Sequence, residues 1–561
     1  MNYYDILLIA LELFLSGLLF WAAGYAEKVL SPGHRLLYLI PAVTAMLLFG
    51  FAGYEKSMLG VYIGAAVCVV GFIREKKTVR RIVSILCAAL TVVSIPACLL
   101  NKGYRQPDIM EQFETVMKNM EQRYSLNNWK GIDYGELRAK YGPEFEKAAK
   151  EHDMAGYYVA MAGLISEYHD GHVGYSADTS RYEKAFSEAR ERIYGNDYGL
   201  VTLNLEDGRT VAVQTARSLR EKGIHNGTVI TSWDGRSPEE AAKDAPVHTF
   251  PTKEDVFINY ADSDCEYFFR SIMAAGIGGD TVEVSFIDDS GIEQTVTLEK
   301  KGSYFDRIIE AVESLDDGVH AGNFQWTDID GRIGVLRIKQ MFFDSKSSHG
   351  ENVKDEKSFN EMKESIRSEV EEYKKKGIND VIIDIRGNSG GSGNLIRAVA
   401  ELFCPKGEYV YCYNALWDDQ AKQYKRNADG TYVKSKKNTF TGEDILEGGR
   451  VLLLVNCESV SAADHLVHLM RGMENVTVMG FTQSNGSGQG VTSFSVGTES
   501  MSLSGSLMLN EDGTPFIDAG SDGKSGNGID IKIPFDEEAL KAVYDDGRDY
   551  LLEKAMEYLG R

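Results

Sequence analysis

The sequence predicts a multidomain chain: an N-terminal four-helix transmembrane region, a small helical domain, a β-rich domain and an α/β domain with a largely parallel sheet. Three observations predict it. Four long apolar stretches fill the first hundred residues. From about 318 to 536, β-branched apolar runs alternate with helical patterns. And a chain of 561 residues is too long to fold around one core.

The apolar stretches run over about Ile6–Gly24, Leu36–Gly53, Met58–Ile73 and Ile82–Leu100. Each approaches the ~20 apolar residues a bilayer requires, so residues 1–103 are expected to embed in the cell membrane. The loop Arg74–Arg81 carries five basic residues, which places it in the cytoplasm and everything after the fourth stretch outside. The expected location is therefore a multi-pass membrane protein with its large domain extracytoplasmic. Glu12 lies within the first stretch, either as a neutral, hydrogen-bonded carboxyl or with a function there. Ile95-Pro96-Ala97-Cys98 is a degenerate lipidation box.

Charge and cysteines exclude some functions. A net charge of -23 argues against nucleic acid, because phosphate binding needs clustered Lys and Arg. The seven cysteines show no CxxC pair and no metal-ligand spacing, so no disulfide framework and no metal site is expected.

Residues 104–176 read as a helical domain. Ile109, Phe113, Val116 and Met117 recur at helical spacing, and so do Tyr157, Met161, Leu164 and Ile165. It ends in Tyr168-His169-Asp170-Gly171-His172-Val173-Gly174, where glycines break the helix beside two histidines. Residues 190–301 alternate as short strands. The stretch Gly223–Ile230 followed by Asp234-Gly235 resembles a PDZ domain, which implies binding of an extended peptide by strand addition. Residues 244–275 would then be an insertion.

The α/β domain, 318–536, has core strands expected at Ile333–Ile338, Val381–Ile385, Val451–Val455 and Val476–Met479. Trp417–Lys437 reads as an inserted hairpin near a site mouth, and residues 537–561 as an amphipathic C-terminal helix or pair of helices. After Val381–Ile385 comes Arg386-Gly387-Asn388-Ser389-Gly390-Gly391-Ser392-Gly393 and then a helical pattern. A glycine turn at a strand-to-helix junction exposes backbone N–H groups. It lacks the Lys of a P-loop, and Ile396 stands where a dinucleotide fingerprint needs its third glycine. No nucleotide cofactor is expected, and an oxyanion hole remains. The other junction, Asn456-Cys457-Glu458-Ser459-Val460-Ser461-Ala462-Ala463-Asp464, offers Ser459 and Ser461 beside a helix start, both equally plausible as simple N-caps.

Taken together, Gly331–Ile338, Val381–Gly391, Ser461-Ala462-Ala463-Asp464, Asp170-Gly171-His172-Val173, Trp129–Tyr134 and Gly528–Ile533 resemble the tail-specific, or carboxy-terminal processing, serine peptidase family. The resemblance implies a ClpP/crotonase-like α/β domain, a polypeptide substrate taken in part through its C-terminal segment, and cleavage through an acyl-enzyme without cofactor or metal. It implies that Ser461 is the nucleophile and that Gly390 or Gly391 with Ala462 forms the oxyanion hole. The processing branch places a lysine base in the stretch that here reads Gly480–Gly490 and has none. The tricorn-like branch uses a histidine, and Asp170-Gly171-His172 matches its place, so His172 is the candidate base. That branch's third group is a glutamate. Here the region offers Asp522, taken first, then Asp518, with Asp170 as a local alternative. His465, four residues after Ser461, is a rival base. A catalytically inactive peptide-binding scaffold and a membrane signalling protein are the alternative functions.

Overall fold

Apolar residues three and four apart give α1 (Ile109–Arg123) a buried stripe of Ile109, Phe113, Val116, Met117 and Met120. The computed structural model describes residues 108–245, 249–250, 256–315, 324–341 and 356–560. Contacts divide the chain into Met1–Asp108 and Ile109–Arg561, and the second unit contains all that follows. α2 (Tyr134–Glu151) and α3 (Met154–Ser166) begin at aspartate caps. Asp133 accepts from the N–H groups of Gly135 and Glu136, and Asp153 from that of Gly156. α3 is apolar nearly all round and almost wholly buried, with Tyr157, Tyr158, Met161 and Ile165 in the core. The chain then turns through 167–173 into the short strand β1 (Gly174–Ser176) and α4 (Thr179–Tyr194).

The β-rich part holds a hairpin of β2 (Val201–Asn204) and β3 (Thr210–Val213), and a sheet in which β4 (Ile230–Trp233) pairs with β7 (Thr281–Ile287) and β7 with β8 (Glu293–Glu299). Between β4 and β7 lie β5 (Thr249–Phe250), β6 (Val256–Asn259) and α5 (Ser263–Met273). α5 returns to the hairpin, where Thr202 Oγ1 donates to the Ser271 carbonyl at 2.6 Å. α6 (Tyr304–Leu315) closes this part.

The α/β part is a six-stranded sheet. It comprises β9 (Phe324–Ile329), β10 (Ile333–Ile338), β11 (Asp380–Asp384), β16 (Val451–Leu454), β17 (Val476–Gly480) and β21 (Ile531–Lys532), in spatial order β21-β17-β16-β11-β10-β9. All pairs are parallel except the antiparallel edge β9–β10. Every residue of β16 is buried, because helices cover both faces of a parallel sheet. Each such Val or Leu contributes ~1.5–3 kcal/mol of burial. The covering helices include α7 (Glu356–Lys375), α8 (Gly393–Phe403), α9 (Ala462–Met470) and α10 (Tyr550–Tyr558). α10 is tied down by Arg386, whose buried guanidinium forks onto Asp384 (2.9 and 2.7 Å) and onto the helix cap Asp549 (2.8 and 2.7 Å). A second hairpin, β12 (Gly407–Ala415) with β15 (Lys434–Gly442), stands beside α8 and carries the small β13–β14 pair (Trp417–Asp418, Gln423–Tyr424). β20 (Met508–Leu509) adds to its edge.

Strands from distant parts of the sequence share the remaining sheet. β18 (Val491–Val496) pairs with β19 (Glu499–Ser504), β19 with β1, β1 with β6, and β6 with β5. The boundaries expected at 176, 190–301 and 318 therefore cut through one sheet. Part of the stretch expected as an insertion, 244–275, supplies two of its strands. One element of the expected fold class, the N-terminal four-helix transmembrane region, is corrected. Among the described residues no helix is long and apolar enough to cross a membrane, so the fold described is the α/β and β assembly alone. The stretch on which that region was expected, 1–103, with Glu12 and Cys98, lies outside the described residues.

Candidate active site

Ser461 caps α9 with φ 60° and ψ -112°, a conformation that L-residues avoid unless the surroundings impose it. Its N–H donates to Asp464 Oδ2 at 2.8 Å. Asp464 is buried and also accepts from the N–H groups of Gly486 (2.8 Å) and Ser487 (3.1 Å). Burial pushes its carboxyl up to about 7, while these donors pull the other way. The aspartate thus locks the serine turn to the 485–489 loop. Ser459, the other serine, is fully buried, and its hydroxyl donates to the Ile385 carbonyl at 2.9 Å, so it is a structural pin at the end of β11.

The glycine turn lies against the serine turn. A Cβ on Gly390 would stand 2.7 Å from Ser461 Cβ and 2.9 Å from the Val460 carbonyl oxygen, and φ there is +96°. Only glycine allows this approach. Asn388 holds the turn: Val460 N–H donates to its carbonyl, its amide donates to the Ile338 carbonyl at 2.7 Å, and its Oδ1 accepts from the Gly390 N–H at 2.8 Å. The Gly390 N–H is therefore committed to Asn388, which corrects its expected place as an oxyanion donor. No described residue accepts from the Gly391 N–H. Ala462, in the first turn of α9, has no carbonyl of its own helix to bond. Those two N–H groups are the donors left for an oxyanion.

His172 comes from the loop between α3 and β1 and is buried. Its N–H donates to Asp170 Oδ1 at 2.8 Å. Asp170 Oδ2 accepts from Tyr124 Oη (3.0 Å) and from Ser504 Oγ (2.7 Å), and Ser504 Oγ lies 3.5 Å from His172 Nδ1. Since the Ser504 hydroxyl donates to Asp170, it accepts from Nδ1–H. That tautomer leaves a lone pair on Nε2, and Nε2 is buried with no partner among the described residues. Desolvation holds the His172 pKa below the ordinary value, and the Asp170 charge raises it in part. The loop reaches the serine turn through Ser487, which accepts from the Gly171 N–H at 2.7 Å and gives its own N–H to Asp464.

His465 is corrected as a rival base. Its Nε2 is bonded to the Gly488 carbonyl at 2.7 Å and its Nδ1 to Tyr411 Oη at 2.6 Å, so neither nitrogen is free. Burial lowers its pKa to about 4.

Asp522 is also corrected. It is exposed and accepts from the Lys524 N–H within its own turn. Asp518 is buried instead. Its Oδ2 accepts from Gly488 N–H and Gln489 Nε2, its Oδ1 has no partner among the described residues, and burial with the nearby Asp170 charge raises its pKa well above the carboxylate range. Asp170 is the carboxylate beside His172. Sequence reasoning missed Ser504, Tyr124, Asn388 and Lys130. The last donates to the His169 and Ala519 carbonyls at 2.8 and 3.0 Å, beneath the histidine loop. Of these residues, Lys130 lies in the Trp129–Tyr134 segment and Asn388 in Val381–Gly391, both of which carried the resemblance, while nothing in the sequence marked Ser504 or Tyr124.

Among the described residues no group of His, Cys, Asp and Glu is placed to hold a metal ion. A cleft of about 760 Å³ opens beside the glycine turn, between α8 and the β12–β15 hairpin.

No protein of curated function matches the chain. The chain is similar in fold to mature CPAF in complex with lactacystin (14% identity, TM-score 0.48, 81% of this chain and 98% of that one). It is also similar to the photosystem II D1 C-terminal processing protease (15%, 0.32, 80% and 100%). The third is the tricorn protease (12%, 0.24, 73% and 36%). Residues 332–523 match the model of peptidase family S41, which spans the glycine turn and Ser461, and this domain makes the protein a serine peptidase.

Proposed function

We propose that Ser461 is the nucleophile, His172 the general base, Asp170 through Ser504 its orienting partner, and the N–H groups of Gly391 and Ala462 the oxyanion donors. The observation that carries this reading is the His172 ring. Nδ1 is held by a hydroxyl bonded to a carboxylate, Nε2 is left bare, and the same loop is bonded to Ser487, whose N–H shares the Asp464 carboxylate with the Ser461 N–H. Ser461 Oγ attacks the peptide carbonyl while Nε2 takes its proton. The oxyanion is held by the two N–H groups, each worth ~3–4 kcal/mol in such sites. The protonated imidazole then gives its proton to the leaving amine, and water hydrolyses the acyl-enzyme by the same route in reverse.

The absence of a lysine from Gly480–Gly490 supports the tricorn-like branch of the family. The β-rich part, with its PDZ-like pattern at Gly223–Ile230, is proposed to hold an extended peptide, including a C-terminal segment of the substrate. An extracytoplasmic location at the cell membrane belongs to the same reading and rests on the charge pattern of the first hundred residues alone. The test is a fluorophosphonate probe on the full chain. We predict a label on Ser461 that is lost in His172→Ala, with peptide hydrolysis falling by roughly 10⁴-fold or more. A folded protein that takes no label is a peptide-binding scaffold rather than this enzyme. A label that survives His172→Ala and vanishes in His465→Ala moves the base to His465.

A further inference from the structure

The cleft beside the glycine turn differs in charge from the rest of the chain. The protein carries a net charge of -23, yet among the described residues no carboxylate lines the cleft. Three cations do: Arg397 on α8, and Lys436 and Lys437 on β15. Gly391, Gly393 and Asn394 place the N-terminal turn of α8 in the same wall, with its partial positive charge. Among the described residues Arg397 has one ion-pair partner, Glu401 at 3.3 Å, but Glu401 also pairs with Lys363 at 2.5 Å. The Arg397 guanidinium stacks on the Phe359 ring at 3.8 Å, which fixes its plane at the cleft wall. Both lysines are exposed, and neither forms an ion pair with a described carboxylate.

We propose that this cleft is a substrate subsite that binds a carboxylate of the peptide close to the scissile bond. This rests on the reading of Gly391 as an oxyanion donor. The same residue lines the cleft, so a peptide whose carbonyl sits at Gly391 has its neighbouring side chains within reach of Arg397, Lys436 and Lys437. Acidic segments are the substrate class selected. The carboxylate comes either from a Glu or Asp side chain or from a free C-terminus.

The test uses the full chain carrying Ser461→Ala, which binds without turnover. Fluorescence anisotropy reads the Kd of a fluorescein-labelled alanine-based octapeptide with paired central glutamates, and of its glutamine counterpart, each as free acid and as amide. We expect the glutamate peptide to bind roughly tenfold tighter, and the preference to shrink at high salt. In Lys436→Glu/Lys437→Glu the preference should vanish or invert. In Lys436→Gln/Lys437→Gln it should fall part of the way, which guards against a loss due to misfolding. A preference that follows the free acid rather than the glutamates assigns the C-terminal carboxylate as the ligand. Equal binding of all four peptides, or a glutamate preference that survives charge reversal, overturns the proposal. The probe on Ser461 is read separately, so a folded protein with the preference but without the label loses the peptidase mechanism and keeps the subsite.

Discussion

The imidazole of His172 must be neutral to accept a proton, and burial favours that form. Its folded pKa lies below the ordinary ~6.5, so acidification protonates it only at lower pH. We predict that the rate of Ser461 labelling at pH 6 stays near its plateau and falls only on further acidification. Asp170 is the charge that raises this pKa, and Asp170→Asn should therefore move the acid limb further down while slowing the plateau. A limb that moves up, or stays in place, would remove Asp170 as the partner. His465 and Ser504 also face the ring, so the limb is read against a Ser504→Ala control. Gly390→Ala places a methyl 2.7 Å from Ser461 Cβ at a φ that costs ~1–3 kcal/mol for a side chain. Labelling should fall sharply while the far-ultraviolet circular dichroism spectrum is kept. The glycine turn and the serine turn were legible in the sequence because each is a local pattern at a strand-to-helix junction, whereas the choice of Ser461 over Ser459 as nucleophile came from the family resemblance. Asp522 follows from the place of the tricorn-like branch's glutamate, and nothing local in the sequence marks Asp170, whose partner Ser504 lies 334 positions away.

At the scale of elements, the junction β16–α9 depends on one buried carboxylate. Asp464 accepts from three backbone N–H groups on two segments, so Asp464→Ala leaves the buried donors of Gly486 and Ser487 and the half-buried one of Ser461 without this partner. Each costs ~1–3 kcal/mol. We predict a lower unfolding midpoint in denaturant together with loss of labelling. Asp464→Glu, the longer acid, should recover part of both. Retained labelling at wild-type rate in Asp464→Ala would mean that the turn is held by packing alone. The parallel strands were legible because a strand covered on both faces must be apolar throughout, as in β11 and β16. The sheet β18-β19-β1-β6-β5 was not. β1 has three residues and β5 two, too few to show a period, and β19, which pairs with β1, lies hundreds of positions further along the chain.

At the scale of the molecule, the C-terminal helix α10 is fastened to the sheet by Arg386 between Asp384 and Asp549. Asp549→Ala removes one partner of a buried charge and the cap of α10 at once. We predict a loss of ~3–5 kcal/mol in urea unfolding of the full chain. A loss below ~1 kcal/mol would show that water reaches the guanidinium and that the fastening is a surface pair. The pairing of β1 with β19 has a different consequence, concerning when the enzyme can act. His172 is made early in synthesis, Ser461 late, and Ser504 later still. The Ser504 hydroxyl that orients the histidine, and Glu499, which accepts from Tyr158 and Tyr175 beside it, belong to β19. Contacts of such sequence separation form slowly. A nascent chain carrying the histidine loop and even the serine turn lacks an ordered base until residues 499–504 have left the ribosome and paired with β1. The topology of one sheet thus ties an ordered His172 ring to the synthesis of residues 499–504.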